Sequence, residues 1–127
     1  MASRHAPAGS SILIVDDEFG MGEMLRDLLG DAGYEVSLAL NGHRALLQLQ
    51  NRTFDVLLTD VMMPVMDGVQ LVRAVRADPR HQHMRIVFMT SLLSLAPSDN
   101  RLGDAELEKP FTPELLLATL SAVRAAG

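Results

Sequence analysis

Short apolar runs that alternate with helical patterns constrain the fold of this chain more than any other feature. Residues 12–15 and 56–58 are apolar without interruption, which is typical of strands covered on both faces of a sheet. Helically spaced apolar residues follow such runs, first as Met24, Leu25, Leu28, Leu29 and Ala32. Strands that alternate with helices of about three turns predict an α/β domain with a parallel sheet and helices on both sides.

The pattern predicts strands at residues 12–15, 34–40, 54–59 and 85–89, and a very short fifth strand around residue 107. Gly33 is expected to end the first helix, and Asn41-Gly42 predicts a turn before the second. Thr112 and Pro113 predict the start of the last helix, with the threonine as N-cap and the proline at the first helical position.

One helix of the expected series has weak support. Between Thr90 and Lys109 only Leu92 and Leu95 suggest a helical face, and Pro97 interrupts any longer helix. We therefore predict a degenerate fourth helix, with residues 92–103 forming a short helix and a mobile loop that a partner or phosphorylation orders.

The bulk properties fit one domain. We expect residues 1–10 to be a flexible tail and residues 11–127 to form the domain, since 127 residues suit a single core. The net charge of −5 gives no generic attraction for nucleic acid or acidic membranes, so neither is expected as a partner. The sequence has no cysteine and no apolar run of membrane-spanning length, which favours a cytoplasmic location.

Polar residues lie at the carboxyl ends of four predicted strands. They are Asp16 and Asp17, Asp60, Thr90 and Lys109. Because the carboxyl ends of parallel strands meet at one edge of a sheet, we expect these five side chains to share one crevice. Any one of them alone is more often a turn, a cap or a surface residue, and only their joint occurrence argues for a site.

Three carboxylates in one crevice require a cation. Two carboxylates about 5 Å apart repel each other by roughly 3 kcal/mol at an effective dielectric constant near 20. Mg²⁺ fits because it prefers carboxylates, waters and phosphate oxygens. A carboxylate can attack phosphorus, and a nearby lysine and hydroxyl can contact the phosphoryl oxygens. The residues therefore indicate a phosphoacceptor.

These residues stand in motifs that resemble the receiver domains of bacterial two-component response regulators, the CheY-like family. The resemblance runs from about Ser11 to the C-terminus. The matching residues are Val15-Asp16-Asp17-Glu18, Asp60-Val61-Met62-Met63-Pro64-Val65-Met66-Asp67-Gly68, Met89-Thr90-Ser91 and Glu108-Lys109-Pro110-Phe111.

The resemblance implies a flavodoxin-like doubly wound sheet of five parallel strands in the order 2-1-3-4-5. It implies Asp60 as the residue phosphorylated by a phosphohistidine donor, Thr90 as the switch, and Lys109 as the contact to the phosphoryl group, with a cis Lys109–Pro110 bond. It implies that Mg²⁺ is held by Asp17, Asp60 and the Met62 backbone carbonyl, with Asp16 acting largely through water.

The chain departs from the family at Glu106 and in the interval from Thr90 to Lys109, which is about three residues short. An aromatic residue is common three positions before the lysine, where it is coupled to the threonine, but this chain has Glu106. Side chains at Met62 and Leu92 flank the expected path of water to the phosphoryl group. Because both are apolar, we predict a long-lived phosphorylated form.

The expected function is a phosphoacceptor signalling switch of a two-component system rather than an enzyme that turns over an external substrate. The expected partners are a sensor histidine kinase or histidine phosphotransfer protein and a downstream protein bound by contact. A constitutive docking module that does not use phosphorylation is the main alternative, supported by Glu106 and the weak fourth helix.

Two other interpretations are less favoured. A phosphotransferase or phosphatase would need a second acid where Met62 stands, and a flavodoxin-like cofactor binder would need a phosphate loop. His81 and His83 are expected to be solvated surface rather than metal ligands. Met62, Met63 and Met66 are expected to pack in a loop.

Overall fold

The computed structural model describes residues 10–91 and 102–125. Within these ranges five strands alternate with four α-helices and one short 3-10 helix, Pro79–His81. The strands are β1 (Ser11–Val15), β2 (Glu35–Ala39), β3 (Val56–Asp60), β4 (Arg85–Thr90) and β5 (Ala105–Glu108). The helices are α1 (Phe19–Asp31), α2 (Gly42–Asn51), α3 (Gly68–Arg76) and α4 (Pro113–Ala125).

The five strands form one parallel sheet in the order β2-β1-β3-β4-β5, which confirms the predicted topology. The predicted fourth helix between β4 and β5 falls largely on residues 92–101, which lie outside the described residues. Residues 1–9 of the expected tail also lie outside them. Ser10 is described, and its carbonyl accepts a hydrogen bond from the backbone N–H of Glu35.

The core lies on both faces of the sheet. Leu13, Leu57 and Phe88 face α2 and α3, whereas their neighbours Ile12 and Leu58 face α1 and α4. All five are fully buried, so successive residues of a strand enter opposite cores. This arrangement explains why these strands have no alternation of apolar and polar residues. None of the helices in the described ranges has the length and apolar run that crossing a bilayer requires.

Two predicted helix boundaries are confirmed and one predicted turn is wrong. Gly33 follows α1 with a φ of 100°, and the Thr112 side chain caps α4. Asn41 and Gly42 do not form a separate turn. The Asn41 side chain accepts a hydrogen bond from the N–H of Arg44 at 2.8 Å, so asparagine is the N-cap of α2 and glycine is its first residue.

The prediction for the histidines is wrong at one position. His81 is only 3% exposed, and its Nε2 lies 3.0 Å from the carbonyl oxygen of Leu49 in α2. His81, the last residue of the 3-10 helix Pro79–His81, therefore packs against α2, although the residues around it in the sequence are mostly polar. His83 is exposed, as expected.

Candidate functional site

Three carboxylates from the ends of two neighbouring strands form the centre of the candidate site. Asp16 and Asp17 directly follow β1, and Asp60 is the last residue of β3, which pairs with β1. One oxygen of each carboxylate lies within 4.8 Å of the other two. Asp16 is 2% exposed and Asp60 8% exposed, whereas Asp17 is open to solvent. The cluster is therefore a shallow acidic pocket with one exposed side.

Lys109 brings the only described ammonium group to this pocket. Its Nζ lies 3.0 Å from Oδ2 of Asp60 and 3.4 Å from Oδ2 of Asp16. The lysine directly follows β5, so its side chain extends across the end of β4 to reach the carboxylate on β3. The Lys109–Pro110 peptide bond is cis, as expected.

Thr90 completes the predicted group at the end of β4. The residue is 7% exposed, and its carbonyl accepts a hydrogen bond from the backbone N–H of Lys109 at 2.7 Å. All five predicted polar residues thus stand at the carboxyl edge of the sheet, where the side chains of the three aspartates and Lys109 lie close together. The Met62 side chain is 63% exposed, and its N–H donates to Oδ1 of Asp60 at 3.3 Å. A ligand role for the Met62 carbonyl stays a prediction.

The charges in the pocket influence one another. Burial raises the pKa of Asp16 above its ordinary value of 3.8, although the Glu18 N–H and the lysine ammonium work in the opposite direction. Burial opposes the charge on Lys109, but its hydrogen bond to Asp60 and the two nearby carboxylates outweigh burial and raise its pKa. The lysine therefore remains an ammonium at neutral pH.

The donor set fits a hard divalent cation. At 4.8 Å, the limit of the separations, two ionised carboxylates repel by about 3 kcal/mol at an effective dielectric constant near 20. One ammonium offsets only one of the three negative charges. Three carboxylate oxygens within reach of one point, with one side open to water, suit Mg²⁺.

Two backbone features of the site were not anticipated from the sequence. The N–H of Glu18 donates to Oδ1 of Asp16 at 2.8 Å and orients that carboxylate. Gly68 lets the start of α3 approach β3 closely, since a Cβ there would lie 2.2 Å from the carbonyl oxygen of Asp60. Its own N–H donates to the Val61 carbonyl at 2.8 Å. The sequence shows a glycine in this motif but does not predict its close approach to the Asp60 carbonyl.

The loop after Asp60 combines packing with an unusual backbone. Met63 is buried and Met66 packs against the same core, as expected. The prediction of loop packing is wrong for Met62, which is exposed. Val65 has a φ of 68°, in the left-handed region that β-branched residues rarely adopt, and it is 88% exposed. Because the side chain is exposed, its burial does not compensate for the unfavourable backbone conformation.

Residues 12–121 match the family model described as the response regulator receiver domain. The chain belongs to the response regulator receiver family. It is therefore a module of two-component signalling, and modules of this family are generally not enzymes. The matched span contains every residue of the site described above.

The most similar relatives include single-domain and longer proteins. The chain is 38% identical over 112 residues to the response regulator Rre1 of Synechocystis sp., a match that covers 85% of the chain and 48% of that protein. It is 38% identical over 112 residues to the chemotaxis protein CheY of Pseudomonas aeruginosa, covering 83% of the chain and 88% of that protein. The chain thus spans about half the length of the first of these relatives.

A solved structure supports the same assignment. The chemotaxis response regulator CheY4 of Vibrio cholerae superposes with a TM-score of 0.83 at 37% sequence identity. The superposition covers 91% of this chain and 99% of that one. The fold of the described residues is therefore the CheY-like, flavodoxin-like fold.

Proposed function

We propose that this receiver domain is a phosphoacceptor switch and that Asp60 is the residue that accepts the phosphoryl group. The observation that carries the proposal is the contact of the Lys109 ammonium with Asp60 at 3.0 Å and Asp16 at 3.4 Å. A fixed positive charge at this point would stabilise the negative charge that phosphoryl oxygens carry during transfer.

The phosphoryl donor is a phosphohistidine of a sensor histidine kinase or a histidine phosphotransfer protein. An Asp60 oxygen forms the new bond to phosphorus while the phosphorus–nitrogen bond breaks, and its electron pair returns to the imidazole of the donor. Lys109 holds one phosphoryl oxygen, and the Thr90 hydroxyl donates to another. No external substrate is turned over.

Mg²⁺ belongs to this proposal as the cofactor. When bound, it neutralises phosphoryl oxygens and offsets the repulsion between the carboxylates. Its proposed ligands are Asp16 (largely through water), Asp17, Asp60 and the Met62 carbonyl. The exposed Asp17 would keep the cluster open to a cation from solvent, and the buried Asp16 would add negative charge beneath it.

The output is proposed to be contact with a downstream protein. Glu106 lies exposed on β5, opposite Phe88 of β4, at the position where relatives commonly carry an aromatic residue. A carboxylate cannot fill an apolar site near Thr90 as an aromatic ring would. The response to phosphorylation must therefore reach the surface by another route than an aromatic rotamer change.

Intact mass spectrometry after incubation with acetyl phosphate and Mg²⁺ tests the proposal. The chain should gain one phosphate, and Asp60→Asn should gain none. Asp27→Asn removes an exposed carboxylate from α1 and is the matched control, which should be modified like the wild type. A docking module that does not use phosphorylation would gain no phosphate in any variant. That result would refute the phosphoacceptor switch and favour the docking module.

A further inference from the structure

We propose that Arg76 is a positioning residue for Lys109, because it fixes the register of β5 and thereby the place of the lysine ammonium beside Asp60. The inference rests on the proposed function, since it concerns the lysine that would contact the phosphoryl group. Arg76 itself is the last residue of α3 and lies outside the acidic pocket.

Strand β5 specifies its own register weakly. It has four residues, it pairs only with β4 within residues 10–91 and 102–125, and Leu107 is its one buried residue. A slip by two residues would keep the same face toward the core, so a single buried residue hardly opposes it. Such a slip would move Lys109 by roughly 6 to 7 Å along the sheet. Its contact with Asp60 at 3.0 Å would be lost.

The guanidinium of Arg76 joins the chain before β5 to the chain before β4. Its Nε and Nη2 both donate to the carbonyl oxygen of Leu102 at 3.2 Å, and Nη2 also lies 3.2 Å from Oδ2 of Asp104. Its Nη1 donates to the carbonyl oxygen of Met84 at 3.1 Å. The planar fork of arginine can satisfy these acceptors together, whereas a lysine ammonium could not.

Asp104, one of the residues that Arg76 contacts, is also bound directly to β4. The N–H of Asp104 donates to the Ile86 carbonyl at 2.6 Å, and its Oδ2 accepts from the N–H of Ile86 at 2.8 Å. Gly103 lies so close that a Cβ there would be 2.8 Å from the ring of Phe88. Any slip of β5 would break these contacts and the arginine fork at once, so together they pin the start of the strand.

A double-mutant cycle on the rate of phosphorylation by acetyl phosphate at saturating Mg²⁺ tests the inference. Lys109→Met should lower the rate on the order of a hundredfold, as loss of a charge-stabilising group does. Arg76→Met should lower it by at least about tenfold through misplacement of the lysine. In the Lys109→Met background, Arg76→Met should add less than about twofold, because the group it positions is already absent.

Calorimetric titration of the unphosphorylated protein with Mg²⁺ gives a second readout. The lysine ammonium opposes a cation near Asp60, so Lys109→Met should tighten Mg²⁺ binding. Arg76→Met should tighten it in the same direction, and the double variant should bind like Lys109→Met alone. General damage to the fold would weaken Mg²⁺ binding instead, so the direction of the change separates positioning from instability.

Arg80→Met is the matched control. Arg80 also binds a carboxylate and a backbone carbonyl, those of Asp78 and Gln50, but neither partner belongs to β5 or to the chain directly before it. The Arg80→Met variant should change neither the rate of phosphorylation by acetyl phosphate nor the affinity for Mg²⁺. If Arg76→Met does not fold, Arg76→Lys should show the same changes at smaller size.

The outcomes distinguish the inference from the function on which it rests. A rate unaffected by Lys109→Met would refute the proposed role of the lysine. If Lys109→Met lowers the rate but Arg76→Met lowers it equally in both backgrounds, or leaves Mg²⁺ binding unchanged or weaker, Arg76 is only a structural residue and the inference is wrong.

Discussion

Replacing Gly68 by alanine tests how closely α3 packs against the proposed phosphoacceptor. A Cβ at this position would lie 2.2 Å from the carbonyl oxygen of Asp60 and 2.9 Å from the Cα of Val61. A close carbon–oxygen contact is normally about 3.3 Å or longer, so one of the two backbone segments must move by about 1 Å. The movement would fall on the peptide next to the proposed phosphoacceptor.

The magnitude comes from two opposing terms. Overpacking costs about 1–3 kcal/mol, and the upper end applies because the obstructing atoms are backbone. About 1 kcal/mol is recovered, since alanine is a better helix former than glycine. We therefore expect Gly68→Ala to lower the free energy of unfolding by about 2 kcal/mol.

Urea denaturation followed by far-ultraviolet circular dichroism measures this change as a lower midpoint at an unchanged slope. Gly30→Ala is the matched control, because Gly30 lies in α1 and its added Cβ would meet no atom within 4 Å. That variant should gain up to about 1 kcal/mol. If Gly68→Ala were as stable as the wild type, the close approach of α3 to Asp60 would be wrong.

Three further predictions concern other parts of the molecule. Arg80 lowers the pKa of Asp78 to about 2, so the stabilisation from this exposed pair should be complete above pH 4 and lost as the pH falls to about 2. The difference in free energy of unfolding between the wild type and Asp78→Asn should therefore shrink over that range. A difference that stays constant with pH would contradict this prediction. Asparagine tolerates the left-handed φ of 68° better than valine does, so Val65→Asn should raise the free energy of unfolding by about 1 kcal/mol. A lower unfolding midpoint in this variant would count against strain at position 65. The exposed, apolar Met62 cannot orient an attacking water, so the phosphorylated protein with Mg²⁺ should decay slowly and Met62→Gln should decay faster; a half-life of seconds for the wild type would exclude this.

The sequence predicts the sheet well because the residues within each strand are enough to indicate that strand. The uninterrupted apolar runs at residues 12–15 and 56–58 are typical of strands covered on both faces, and the alternation with helices favours a parallel sheet. The placement of Asp16, Asp60 and Lys109 at one edge of the sheet then follows from the topology, since all three stand where parallel strands end.

The features that the sequence does not predict depend on contacts between distant parts of the chain. His81 stands in a polar stretch, and only the packing of α2 over it makes it buried. Asn41 belongs to residue types that favour both turns and N-caps, so its role is decided by the helix that begins at the next residue. The contact between Arg76 and Asp104 joins residues 28 positions apart and has no local signature. The roles of the site residues in phosphoryl transfer likewise stay predictions.

The most direct test of the proposed switch is to locate the modified residue. After incubation with acetyl phosphate and Mg²⁺, borohydride reduction converts an aspartyl phosphate to homoserine, which peptide mass spectrometry assigns to a position. We expect homoserine at position 60, dependent on Mg²⁺. Homoserine at position 16 or 17 instead, or at no position, would contradict the claim that Asp60 is the phosphoacceptor.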